Sequence, residues 1–474
     1  MKRKELKLGY QNGEEFALSV STLKRHFACF GSSGSGKTVA SKVMIEELSR
    51  AGIPIIAFDP QGDIASLSKV ANKDEILNKN IKSSIYDSFN ENVEVVIWTP
   101  GSSKGLPLCI NPLNFDNVDI GNNESSERHF SLVAKNISSL VGYESSSDDC
   151  KSIEGVLVLT FNWCKDNNSF PSNFKELISI LSNIPRSLNE SIESICEKRL
   201  LRSLVKKLNL MTIGTKSLIF ENGVPATIDT LLGKDGSSNK TRISVIYLNS
   251  LQSSEEKEFF ISSICQLLYN WMIHNPIKDN DIDLQCALFI DEVAPYIPPV
   301  RKPACKESLE LLFRQGRKYG ISCLVATQSP GDIDYKCIGQ FSTFLLGALN
   351  TKQDIDKVKK RMESVAPKET GLIVKQLPSL NSGNFLAISS DELDGVKQIQ
   401  VRWLITSHNV VSENGIKGLN SEIISDFYDS LSFGSNNNSH PNKIQRPAKT
   451  KTNKAISTTT EKDDLILVAM NLIK

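Results

Sequence analysis

No apolar run in this chain approaches the ~20 residues needed to span a bilayer; the longest, around Val93–Trp98 and Ile243–Leu248, are strand-sized and interrupted by a polar residue. A membrane anchor is therefore not expected. The N-terminus reads MKRKELKLGYQNGEEF, basic but leading into no apolar core or small-residue cleavage site. It does not read as a secretory signal, and the chain is expected to be cytoplasmic. An excess of one charge is lacking too: 55 Lys and Arg against 54 Asp and Glu leave a formal charge of +1, so nucleic-acid contacts must come from local patches. The ten Cys contain no CxxC pair and several lie in apolar runs (Cys29, Cys265, Cys286, Cys323). Buried reduced thiols, rather than a zinc or disulfide framework, are the reading. The five His have no metal-ligand spacing between them.

What is present is an alternation of buried strands and amphipathic helices. His26–Phe30 is a short apolar strand, residues 31–38 a Gly/Ser loop, and Val39, Val43, Met44 and Leu48 recur at helical spacing. Gly52 and Pro54 end that helix, and Ile55–Phe58 supplies a second strand closed by Asp59-Pro60-Gln61-Gly62-Asp63. Val93–Trp98, Ile243–Leu248, Ala287–Ile290, Ile321–Ala326, Phe344–Leu349, Phe385–Ile388 and Ile399–Ile405 read as further strands. Ser253 and Glu256 have capping-box spacing ahead of a helix whose apolar face is Phe260, Ile264, Leu267, Leu268, Trp271 and Met272. The pattern predicts a doubly wound, mostly parallel α/β sheet. The expected division is 1–119 and 241–433 as two parts of one core, 120–240 as a mostly helical insertion, and 434–474 as a Ser/Asn/Thr/Lys/Pro-rich linker or tail. Leu465–Ile473 is a candidate docking helix within that tail.

Gly31-Ser32-Ser33-Gly34-Ser35-Gly36-Lys37-Thr38 fits GxxxxGKT between a strand and a helix. Backbone amides of such a loop and the helix N-terminus cradle phosphates. Lys37 would bridge β- and γ-phosphates and Thr38 would ligate Mg²⁺, so ATP and Mg²⁺ are the expected ligands. Asp291-Glu292 closes an apolar strand: Asp291 can hold the metal through water while Glu292 polarises the attacking water. Gln328, at another strand end, could sense the γ-phosphate. Arg314 and Arg317, near a helix end, either complement the helix dipole or reach a neighbouring subunit's nucleotide. A guanine-specific reading would use the DxxG of Asp59–Gly62 and the Thr351-Lys352-Gln353-Asp354 run. It leaves Asp291-Glu292 without a role and is set aside.

The ordered set GSSGSGKT, FDPQGD, WTPGSSKGLPL, LFIDEVAPYIP, LLFRQGRKYGISCLVATQSPGDID and QVRWLITSH resembles the HerA/FtsK superfamily of ATPases, in particular the HerA-like proteins, over about residues 20–410. The resemblance implies a RecA-like P-loop fold, a homohexameric ring and ATP-driven translocation on double-stranded DNA, with a nuclease or other effector as partner in DNA processing or antiviral defence. By position it implies Lys37 and Thr38 at phosphate and Mg²⁺, Asp291 at metal, Glu292 in catalysis, Gln328 in sensing, and Arg317 as arginine finger with Arg314 second. HerA itself carries an N-terminal β-barrel where only thirty residues precede Gly31, so ring assembly is expected to rest on the core or the insertion. No winged-helix orienting module of the FtsK type is evident. Candidate DNA-contacting cations are Lys336, Lys352, Lys357, Lys359, Lys360 and Arg361, and in the tail Lys443, Arg446, Lys449, Lys451 and Lys454. A second expectation is an ATP-gated ring scaffold that activates an effector without translocating.

Overall fold

The alternation predicted above is realised in a computed structural model, which describes residues 4–433 apart from 114, 116–120, 222 and 278–283. The tail 434–474, with its five cations and the Leu465–Ile473 segment, lies outside the described residues.

The strands are β1 (Glu5–Gln11), β2 (Glu14–Ser19), β3 (Phe27–Phe30), β4 (Ile55–Asp59), β5 (Val93–Trp98), β6 (Leu108–Cys109), β7 (Val224–Pro225), β8 (Thr241–Tyr247), β9 (Cys286–Ile290), β10 (Ile321–Thr327), β11 (Thr343–Leu346), β12 (Asn384–Ser389) and β13 (Lys397–Val401). Eleven of them form one sheet in the order β2-β1-β13-β12-β11-β3-β10-β9-β4-β8-β5, with β6 and β7 paired separately. From β11 to β5 all neighbours run parallel; from β12 to β2 they are antiparallel.

The parallel strands are apolar on both faces because both are covered. In β3, Ala28 and Phe30 enter one core while Phe27 and Cys29 enter the other; in β9, Leu288 and Ile290 face the first and Ala287 and Phe289 the second. Helices Lys37–Arg50 and Ser83–Asn92 cover the second face, and Ser254–His274 and Lys306–Gln315 the first. Ser253 and Glu256 form the capping box their spacing suggested. Between residues 123 and 211 five helices of eight or more residues follow one another, beginning with Asn123–Leu140 and Asp148–Asp166, and pack onto the first face. All ten Cys are free and buried. No helix among the described residues is long and apolar enough to cross a membrane.

The β1–β2 hairpin was not foreseen from the sequence. Asn12 (φ +51°) and Gly13 (φ +86°) make its turn, both left-handed as a two-residue hairpin requires, between the alternating pairs Leu6/Leu8 and Phe16/Leu18. Through β1 pairing with β13 the first residues of the chain extend the sheet rather than precede it. β11 and β13 end earlier than expected, at Leu346 and Val401.

Candidate active site

Strand order builds the site. β10 lies between β3 and β9, so the loop after β3, the acids after β9 and the polar end of β10 emerge side by side at the carboxyl edge of the sheet, where open α/β folds bind ligands.

The loop itself is shaped for an anion. Gly34 (φ +80°) and Gly36 (φ +91°) take left-handed conformations, and Gly36 caps the N-terminus of the helix Lys37–Arg50. Gly31 donates to the Thr327 carbonyl at 3.3 Å, Ser32 to Ala348 at 2.8 Å, and Gly383 to the Ser35 carbonyl at 2.9 Å, so three surrounding segments fix the loop. A Cβ at Gly36 would come within 3.0 Å of the Gly383 nitrogen. Ser33 is exposed, Thr38 is half-buried, and the Ser35 hydroxyl is buried without a hydrogen-bond partner. Left-handed glycines, the first-turn amides and an orphaned hydroxyl fit a phosphate group.

Lys37, 6% exposed, reaches across from the loop to Asp291 Oδ1 at 3.3 Å and Glu292 Oε2 at 3.5 Å. Burial works against its charge, but Asp291 and then Glu292 outweigh it and hold its pKa above the ordinary lysine value. Burial pushes the Asp291 carboxyl up, with Lys37 opposing. Glu292 sits in the left-handed region at φ +45°, a strained position for a non-glycine residue. Its carboxylate accepts from the Thr327 hydroxyl at 2.7 Å and the Gln328 amide at 3.2 Å. The sequence gives Thr327 no role of its own; in the fold, as the last residue of β10, it orients Glu292. A cavity of about 310 Å³, lined by Gln61, Ser253, Lys257, Glu258 and Arg301 among others, opens against the same carboxylate. Thr38 and Asp291 could offer only oxygen donors, a chemistry that suits Mg²⁺.

Arg317 and Arg314 are not brought to this site. Both precede β10, at the amino edge of the sheet, about 20 Å from its carboxyl edge over the seven residues of that strand. Arg314, 61% exposed, pairs with Glu310 at 2.8 Å. Arg317 is exposed, with no ion pair among the described residues. Neither reaches Lys37 or Glu292 within one chain.

The segments of the discarded guanine reading are used structurally. Asp59 accepts from the amides of Gly62, Asp63, Ile64 and Ala65 at 2.7–3.1 Å, while burial pushes its carboxyl up to about 7. Thr351 caps the helix Lys352–Val365 by accepting from the Asp354 amide. Of the proposed DNA-contacting cations, Lys336, Lys352, Lys359 and Lys360 are exposed and Lys357 is half-buried. Arg361 is half-buried, its guanidinium donating to the Phe341 carbonyl at 2.5 Å and lying over the Phe344 ring.

QVRWLITSH braces the phosphate-loop helix from behind. Arg402 pairs with Glu46 and Glu47, each at 2.9 Å, Glu46 also accepts from the Ile405 and Thr406 amides, and Lys42 donates to Ser66 and the Ser407 carbonyl. The signal for these residues was present as three charges, Lys42, Glu46 and Glu47, interleaved with the apolar Val39, Val43, Met44, Ile45 and Leu48.

Most of the chain is similar to proteins of the HerA and coupling-protein class of P-loop ATPases. A probable DNA double-strand break repair helicase HerA of Methanocaldococcus jannaschii is 22% identical over 407 residues, covering 79% of this chain and 73% of that protein. A second probable helicase of the same organism is 21% identical, with 64% of its length spanned. Among solved structures, VirB4 of Thermoanaerobacter pseudethanolicus superposes with a TM-score of 0.55 at 16% identity, covering 84% of this chain and 96% of that one. The plasmid coupling protein TrwB in complex with ADP and Mg²⁺ gives 0.53 at 14% identity, covering 88% and 99%. These structures establish a shared fold, the RecA-like P-loop arrangement. The family model described as Helicase HerA, central domain, matches residues 6–268, more than half of the sequence, and the chain belongs to that family.

Proposed function

We propose that this chain is an ATP-hydrolysing motor of HerA type that forms a ring of six copies, moves along double-stranded DNA and works with a nuclease or other effector in DNA processing or antiviral defence. The observation that carries the reading is the meeting of Lys37, Asp291, Glu292 and Thr327-Gln328 at three adjacent strand ends, with Arg317 at the opposite edge. In this reading the amides of Gly31–Gly36 and the Lys37 ammonium hold the phosphates. Thr38 and Asp291 hold Mg²⁺, which neutralises phosphate charge. Glu292, oriented by Thr327, takes a proton from the attacking water, and Gln328 registers the γ-phosphate. Arg317, with Arg314 as second candidate, completes the site of a neighbouring copy, because its position excludes action within one chain. Residues 1–119 and 241–433 act as the ATPase core, 120–240 as an insertion and 434–474 as a tail. Of the cations singled out for DNA phosphates, Lys336, Lys352, Lys359 and Lys360 are exposed and Lys357 is half-buried.

The test is steady-state ATP hydrolysis with and without linear double-stranded DNA, alongside the mass in solution. A ring whose turnover rises with DNA supports the motor. A ring with turnover indifferent to DNA supports the gated scaffold instead. A Mg²⁺-ATP turnover of zero in a folded ring contradicts the motor and leaves only a scaffold gated by nucleotide binding.

A further inference from the structure

His26 stands directly before β3 with a left-handed backbone, φ +63°, and a ring that is 1% exposed. Such a conformation is uncommon for a residue with a side chain and is kept where the surroundings fix it. Both ring nitrogens are engaged. Nδ1 lies 3.0 Å from the Cys323 amide, which can only donate, so Nδ1 accepts. Nε2 therefore carries the proton and donates to the Phe313 carbonyl at 2.8 Å.

Those two partners bracket one segment: Phe313 lies in the last turn of the helix Lys306–Gln315 and Cys323 early in β10, and between them run Arg314 and Arg317. Gly316 within the segment packs closely, since a Cβ there would meet the Ile321 carbonyl at 3.1 Å and His26 Cε1 at 3.8 Å. The Phe313 and Phe341 rings close around the imidazole at 6.3 and 5.5 Å. Ser322, next to Cys323, donates to the Leu23 carbonyl at 2.6 Å, a second tie to the same stretch of chain. The other end of β3 opens into the phosphate loop.

We infer that His26 is a positioning residue for the Arg317 segment: its two ring nitrogens fix both ends of that segment to β3, and turnover at a neighbouring copy's nucleotide depends on the placement this gives the arginine. The inference rests on the reading of Arg317 as a group acting across an interface. An arginine displaced by an ångström or so from a developing charge loses much of its effect, up to about 100-fold in rate.

The experiment compares steady-state turnover of assembled wild type, His26→Phe, Arg317→Ala and the double variant, with affinity for a fluorescent ATP analogue measured on each. His26→Gln, which keeps one donor and one acceptor, is the rescue variant and carries the same comparison should His26→Phe not fold. Expected are a fall in kcat of about 10- to 100-fold in His26→Phe with unchanged analogue affinity, partial recovery in His26→Gln, and a double variant no slower than Arg317→Ala alone. A folded His26→Phe with wild-type kcat overturns the inference. So does a double variant whose loss is the product of the two single losses, while the Arg317 reading survives. Wild-type turnover in Arg317→Ala overturns that reading and the inference with it.

Discussion

The ammonium of Lys37 lies 3.3 Å from the carboxylate of Asp291, both nearly excluded from solvent and 254 residues apart in sequence. The pair is what β9, β10 and β3 are ordered to bring together. Asp291 and Glu292 hold the Lys37 pKa up against burial, so in the proposed reading a phosphate entering the loop would meet a lysine already charged.

Lys37→Ala is expected to abolish binding of the ATP analogue and, without nucleotide, to leave Asp291 buried beside no countercharge. A double-mutant cycle with Asp291→Asn, read by urea unfolding, should show coupling of about 0.5–3 kcal/mol. Strictly additive stability losses would show that the pair does not interact.

Glu292→Gln keeps an oxygen for the Thr327 hydroxyl but cannot take a proton. Analogue affinity should stay within a few-fold of wild type while kcat falls by about 10² or more. Thr327→Val, which removes the orienting hydroxyl and keeps the shape, should lower kcat by a smaller factor with binding unchanged; equal kcat in Thr327→Val and wild type would leave the hydroxyl without a role.

Arg402 is buried against Glu46 and Glu47. Arg402→Met leaves Glu46 without its guanidinium and Glu47 with Arg50 alone, at 2.7 Å, on the helix that carries the phosphate loop, at an expected cost of about 3–5 kcal/mol in unfolding free energy. A loss below 1 kcal/mol would show that Arg50, Lys42 and the backbone donors suffice.

Burial lowers the His26 pKa from 6.5 to about 4, with the Phe313 carbonyl opposing. The unfolded chain then binds the extra proton first as pH falls. Stability from this group is complete above about pH 6.5 and lost progressively toward pH 4, about 3 kcal/mol in all. Unfolding free energy followed from pH 7 to 4 should fall less steeply in His26→Gln; identical slopes would remove His26 as the cause.

Most of the site was legible because its signals are local. The GSSGSGKT loop, the apolar run into Asp291-Glu292 and the run into Thr327-Gln328 each announce a strand end, and the alternation around them announces a parallel sheet. Strand order is not local. That β10 lies between β3 and β9, and so brings the Lys37 loop beside Asp291, depends on pairings between residues some 300 apart. The β1–β2 hairpin carried a readable Asn12-Gly13 turn, but its strands are short and mixed with charge, and their partner β13 lies at the other end of the chain. Arg361 sat in a lysine-rich run that suggested a wet helix face; its position one turn after Val358 instead faces Phe344.

The central claim is that each nucleotide is hydrolysed by groups from two copies, Lys37 and Glu292 from one and Arg317 from the next. The direct measurement mixes purified Lys37→Ala, which keeps its arginine but lacks the phosphate lysine, with Arg317→Ala, which keeps the phosphate site but lacks the arginine, and follows ATP turnover. Each alone should be nearly inactive and the mixture should recover a substantial fraction of wild-type turnover, since an Arg317→Ala site can border a Lys37→Ala neighbour. Full turnover by Arg317→Ala alone, or no recovery in mixed rings shown by mass to contain both variants, would contradict the account.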